Sequence, residues 1–185
     1  MATMATESSA GVHASRPPTA NEKSLIDDIL QLYQLNPSEQ AYSHYTPDAV
    51  FHDPVSIAKG LDSIKSQFNG MPKLFAESTT QKCDVLADSP PNALALNLTQ
   101  RYVFKSAIPF KSKGAEKTVN SKVTLHMNGE GKIERHDEEW DHQTKKTAGE
   151  DGFLGKVQEA RKKTDAKLVE KTVSSDPAKV WTSHK

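Results

Sequence analysis

The residues best suited to chemistry lie in the run Gly131-Lys132-Ile133-Glu134-Arg135-His136-Asp137-Glu138-Glu139-Trp140-Asp141-His142. Read with a strand's period of two, it separates into two faces. One carries His136, Glu138, Trp140 and His142; the other carries Arg135, Asp137, Glu139 and Asp141. The second is a stripe of charge suited to water. The first combines an imidazole, a carboxylate and an indole, a mixture that fits a pocket wall better than a core.

A second acid precedes a proline in Ala49-Val50-Phe51-His52-Asp53-Pro54. If Asp53, His136 and Glu138 share an apolar cavity lined by Leu96, Leu98, Val123, Leu125, Phe68 and Trp140, desolvation raises the carboxyl pKa values and mutual repulsion spreads them. One group then accepts a proton while another donates one. That suits isomerisation, dehydration or cyclisation of a small hydrophobic carbonyl compound, with no cofactor. The plainer alternative is that Asp53 caps the turn after it while His136 and Glu138 pair with each other. His52 and His126 are expected to face outward. Zinc held by His136, Glu138 and His142 at alternate positions is a weak signal, and no metal site is assigned.

Composition narrows the classes. At 185 residues the chain suits one domain with tails. Lys plus Arg equal Asp plus Glu at 24 each, so no net field draws nucleic acid. Cys83 is the one cysteine, which excludes an internal disulfide and fits a reducing, cytoplasmic setting. Gly-rich phosphate loops and nucleophile elbows are absent.

The elements that must position these residues are set by periodicity. Leu25, Ile26, Ile29, Leu30, Leu32 and Tyr33 form a helical stripe capped by Asn21 or Ser24. Asn36-Pro37 starts a short second helix with Ala41, Tyr42 and Tyr45 inward. Thr46-Pro47-Asp48 reads as a turn, and residues 49–53 as a short strand. A helix carrying Leu61, Ile64, Phe68, Leu74 and Phe75 weakens at Gly70 and Pro72. Strands are expected at 79–87, 93–105 and 118–127, and Asn128-Gly129-Glu130-Gly131 is a hairpin turn into the His136-bearing strand. Alternation along the middle strand puts Leu94, Leu96, Leu98, Gln100 and Tyr102 on one face and Arg101 on the other.

The expected plan is α+β: a cone-shaped, curved antiparallel sheet with helices on its concave side, plus a C-terminal amphipathic helix. Residues 1–21 are expected to be a disordered tail, 22–143 the domain, 144–151 a linker, 152–173 the added helix and 174–185 a flexible tail. That helix, with Phe153, Leu154, Val157, Ala160, Thr164 and Leu168 on one side and lysines elsewhere, is expected to pack on its own domain rather than dock on a membrane.

The stretch Tyr45-Thr46-Pro47-Asp48-Ala49-Val50-Phe51-His52-Asp53-Pro54-Val55, then Gly60, a helix and the Gly-Lys-Ile to Trp-Asp strand, resembles the SnoaL-like members of the nuclear transport factor 2-like superfamily. The resemblance spans roughly 24–142. It implies a cone with a deep pocket, in a superfamily that includes ketosteroid isomerase, scytalone dehydratase, limonene epoxide hydrolase and polyketide cyclases beside non-catalytic members. Asp53 matches the proton-shuttling carboxylate of ketosteroid isomerase, and Glu138 falls where limonene epoxide hydrolase has an acid. The two oxyanion donors of the isomerase fall on Ile29 and Val123, which donate nothing. The strand faces and the resemblance together give a catalytic set of Asp53, His136 and Glu138 and a ligand-binding set of Trp140, Gln100, Tyr102, Leu98, Val123 and Phe68. A small hydrophobic molecule is the expected ligand and a homodimer the implied assembly; a non-catalytic binding or interaction domain is the alternative.

Overall fold

Asn128 turns the chain back on itself. Its side-chain oxygen accepts from the amides of Glu130 and Lys132, and Gly131 takes φ 74°, a conformation that glycine adopts without strain. The hairpin joins β6 (Glu116–Met127) to β7 (Ile133–Trp140), setting His136 opposite Leu125, Glu138 opposite Val123 and Trp140 opposite Ser121. The computed structural model describes residues 14–105 and 114–140. The C-terminal helix, the linker, the final tail and His142 lie outside the described residues, as does the N-terminal tail up to residue 13.

The remaining elements are β1 (Ser15–Arg16), α1 (Ala20–Tyr33), α2 (Glu39–Tyr42), β2 (Tyr45–Asp53), β3 (Ser56–Lys59), α3 (Leu61–Leu74), β4 (Phe75–Leu86) and β5 (Ala93–Phe104). They build one curved, open sheet in the order β1-β4-β5-β6-β7-β2-β3. It is mixed rather than antiparallel, because β2 runs parallel to β7. The three helices supply Ile26, Ile29, Leu32, Ala41, Ile64 and Phe68 to a core closed by Leu94, Leu96, Leu98, Val123 and Leu125 of the sheet. Among the described residues no helix is long and apolar enough to cross a membrane.

Several local expectations change. Residues expected in the tail are ordered from 14 on: Ser15 and Arg16 pair with β4, and Arg16 binds both carboxylate oxygens of Glu22. Glu22 in turn closes a capping box with Thr19, so α1 starts before Asn21 or Ser24 could cap it. Ser38, not Asn36, caps α2, because Leu35 at φ 62° ends α1 and moves the restart down the chain. Tyr45 belongs to β2 instead of α2. The predicted turn at Thr46-Pro47-Asp48 is a bulge within that strand: five steps from Tyr45 to Val50 match two from Ile133 to Arg135. α3 passes through Gly70 and Pro72 to Leu74, the proline standing in its last turn.

A second bulge matters more for the site. Met127 faces Ile133 while His126 faces Arg135, so β7 carries one extra residue at Glu134. Ile133 and His136, three apart, are therefore both buried, and from His136 onward alternation resumes with the acid and the indole inward.

Candidate functional site

His136 sits at the centre of β7 with 0% exposure. Its ring is enclosed by Phe51 edge-on at 4.8 Å between centroids, Tyr45 at 6.1 Å, Tyr33 at 6.1 Å and Phe68 at 6.3 Å. Each ring nitrogen meets one phenol: Nδ1 lies 2.8 Å from the Tyr45 hydroxyl and Nε2 3.0 Å from the Tyr33 hydroxyl. Burial drives its pKa down to about 3, only partly opposed by the negative charge of Asp137, so the ring is neutral at pH 7.

Two residues on, Glu138 is half-buried. Its Oε2 accepts from Tyr33 at 3.1 Å and its Oε1 from the Trp140 indole at 2.9 Å. Burial, and then the nearby charge of Asp53, push its pKa up to about 7; hydrogen bonds from Ser121, Trp140 and Tyr33 act the other way. A carboxyl in this state exchanges a proton readily at neutral pH. No cation is among the groups that set its proton affinity.

Asp53, 6% exposed, closes β2. Its Oδ1 accepts from the amides of Val55 and Ser56 at 2.8 and 2.6 Å and from the Ser56 hydroxyl at 3.0 Å. It therefore holds the β2–β3 turn, as the plainer reading required, while its charge is still felt at Glu138 and at Tyr102. Tyr102 is buried, in hydrogen-bond contact with Ser78, and burial lifts its pKa well above that of an ordinary phenol. Gln100 faces the same way: its amide nitrogen donates to Ser78 Oγ at 2.7 Å and its oxygen accepts from Thr80 at 2.9 Å. Ser78 donates to the Tyr33 carbonyl at 2.7 Å, which ties the end of α1 to β4.

Leu98, Val123 and Phe68 lie in the main core beside this group. Phe75, Tyr102, Phe104 and Val119 form a second apolar cluster, with half-buried Leu35, Met71, Leu74 and Trp140 at its rim. Leu35 follows α1, Met71 and Leu74 end α3 and Trp140 ends β7, where its indole donates to Glu138.

Sequence spacing gives Tyr33 and Tyr45 a packing role only. Their hydroxyls, not a direct contact, connect His136 to the rest: Tyr33 touches both the imidazole and Glu138. Tyr33 stands one helical turn after Ile29, on the same face of α1. The outer face behaves as expected. Arg135 pairs with Asp137 at 2.7 Å, and His52 and His126 approach the same carboxylate at 3.5 and 3.4 Å. Arg101 points outward to Glu116 and Glu77. Among the described residues no three His, Cys, Asp or Glu side chains are placed to hold a metal ion.

Compared by sequence, the chain matches no family model and no curated protein. Compared by structure, it is similar to a candidate polyketide cyclase of Xanthomonas campestris pv. campestris, with 11% identity, a TM-score of 0.55, and coverage of 73% of this chain and 95% of that one. A nuclear transport factor 2-like protein of Anabaena variabilis matches at 15% identity and TM-score 0.54, over 65% and 87% of the two chains. AusH from Aspergillus nidulans matches at 17% identity and TM-score 0.50, over 70% and 90%. The chain thus shares its fold with these proteins, one of them nuclear transport factor 2-like. A shared fold does not carry a shared reaction.

Proposed function

We propose that the chain binds a small, largely apolar carbonyl compound inside the Leu35–Met71–Leu74–Trp140 rim. There Glu138, assisted by the charge of Asp53, moves a proton on it, as a cofactor-independent isomerase, dehydratase or cyclase would. The observation that carries this reading is the state of Glu138: a carboxyl lifted to about 7 by burial and by Asp53, surrounded by hydroxyl and indole donors. As the carboxylate it takes a proton from the carbon beside a carbonyl; as the acid it returns one to carbon or to a departing hydroxyl. The hydroxyl of Tyr102, kept protonated by burial, is available to stabilise negative charge on the carbonyl oxygen. The fold's relatives named as candidate polyketide cyclases are consistent with such chemistry.

A second reading, a non-catalytic ligand-binding or interaction domain of the same fold, is favoured by one observation: Asp53 Oδ1 accepts three hydrogen bonds from its own turn. The two separate in one experiment. Native mass spectrometry of the full chain identifies a co-purifying small molecule, which is then incubated with protein in D2O. Deuterium incorporation that Glu138→Gln abolishes supports the enzyme. Binding with no exchange in the wild type supports the carrier, and the absence of any adduct with a panel of small ketones counts against both. Homodimerisation is proposed on the resemblance alone, and light scattering tests it.

A further inference from the structure

The hydrogen bonds Tyr45–His136–Tyr33–Glu138 form one continuous chain, with separations of 2.8, 3.0 and 3.1 Å. Each phenol has one proton to give, and a neutral imidazole has one N–H and one acceptor nitrogen. These counts restrict the arrangements. When Glu138 is ionised it only accepts, so Tyr33 must donate to it. The contact between Tyr33 and Nε2 is then satisfied only if Nε2 carries the hydrogen, which leaves Nδ1 bare for the Tyr45 hydroxyl. The reverse tautomer would let Nε2 capture the Tyr33 proton and turn a phenol lone pair toward the carboxylate. It would also strand the Tyr45 proton, because that hydroxyl has no other hydrogen-bond partner among the described residues.

We infer that His136 is a positioning residue: locked as the Nε2–H tautomer by Tyr45, it fills an acceptor site of the Tyr33 hydroxyl and so aims the Tyr33 proton at Glu138. The aromatic enclosure by Phe51 and Phe68 keeps the ring from rotating out of this chain and keeps water from replacing either partner. The titratable groups facing the hydrogen-bond chain are Tyr33 from α1, Asp53 and Tyr45 from β2, Tyr102 from β5 and Glu138 from β7, with the charge of outward-facing Asp137 felt at His136; α3 contributes the Phe68 ring. The role matters for function only if Glu138 is the reacting carboxyl, and in that respect it rests on the proposed proton chemistry.

The test uses the full chain labelled with 15N and 13C, and needs no substrate. Long-range proton–nitrogen spectra of the wild type, taken above about pH 8 where Glu138 is ionised, are expected to show Nε2 protonated and Nδ1 bare; a hydrogen on Nδ1 there overturns the inference. Carboxyl carbon titration then tracks Glu138 in wild type and in Tyr45→Phe, a variant that removes a hydroxyl with no contact to Glu138. Freed of Tyr45, the ring samples Nδ1–H, Tyr33 is partly drawn to Nε2, and the proton affinity of Glu138 is expected to rise roughly three- to tenfold. A purely structural His136 would leave that midpoint unmoved while stability fell, and this too overturns the inference. Tyr33→Phe, which removes the donor itself, is expected to raise the midpoint at least as far. Failure to find proton exchange on any small molecule would refute the proposed activity and leave these two spectroscopic results standing.

Discussion

Replacing Glu138 by Gln gives a stability difference whose pH dependence is fixed by the site. An ordinary glutamate titrates near 4.5 and Glu138 near 7. Its folded-state value is raised, so the stability it provides is complete below pH 4.5 and is lost as pH climbs through 7. The interval of about 2.5 pH units corresponds to roughly 3 kcal/mol. In the wild type this loss is largely masked, because His136 runs the other way. Its folded value near 3 lies below an ordinary 6.5, so the unfolded chain holds the extra imidazole proton between those limits, and stability falls as pH drops through the window. Between pH 4.5 and 6.5 the folded chain keeps the Glu138 proton and the unfolded chain keeps the His136 proton, and the two slopes cancel. Glu138→Gln removes one of them. Urea denaturation of wild type and variant from pH 4.5 to 8 is expected to show the variant gaining about 3 kcal/mol relative to wild type across that range, with other groups cancelling in the difference. Near pH 4.5 the amide is expected to be the less stable by about 1 kcal/mol, since its NH2 must face one of the donors now serving Glu138. A difference that stays constant with pH would refute the raised carboxyl and, with it, the proton chemistry assigned to the site.

Asp53→Ala leaves the amides of Val55 and Ser56 without their acceptor and is expected to cost about 2 kcal/mol in urea denaturation, whereas Asp53→Asn, which retains an oxygen, is expected to cost less than about 1 kcal/mol. Asp53→Asn is therefore the variant in which to look for lost proton exchange without lost fold. Thr19→Ala opens the capping box of α1 and is expected to cost about 1 kcal/mol. Burial pushes the Cys83 thiol up to about 11, so its reaction with a disulfide reagent at pH 7 is expected to be at least roughly a hundredfold slower in native protein than in denaturant. Comparable rates in the two states would contradict its placement in β4.

Period-two sorting identifies the inward set of the last strand, since Glu138 and Trp140 do share the face of His136. The helical stripe from Ile26 to Tyr33 is equally legible, because a buried face repeats along the chain whatever it packs against. What stays hidden depends on distant partners. Tyr33 and Tyr45 read as packing residues because a phenol in an apolar stripe carries no mark of the imidazole 103 or 91 residues away that its hydroxyl will meet. The bulge at Glu134 and the parallel pairing of β2 with β7 are properties of register, set by neighbouring strands rather than by local pattern. Asp53 shows the converse. The family resemblance points it to chemistry, while the turn that it holds with Val55 and Ser56 is readable from the residues themselves.

The side-by-side pairing of β2 with β7 has a consequence for how the molecule comes into being. Tyr33 and Tyr45 are synthesised early, yet the strand that completes their hydrogen bonds carries its imidazole 103 and 91 residues later. Until β7 has left the ribosome, two phenols wait without their mates, and the exposed edge of β2 is open to mispairing. Assembly of the Tyr45–His136–Tyr33–Glu138 hydrogen-bond chain and closure of the sheet are thus a single late, long-range event, the kind of contact that slows folding most.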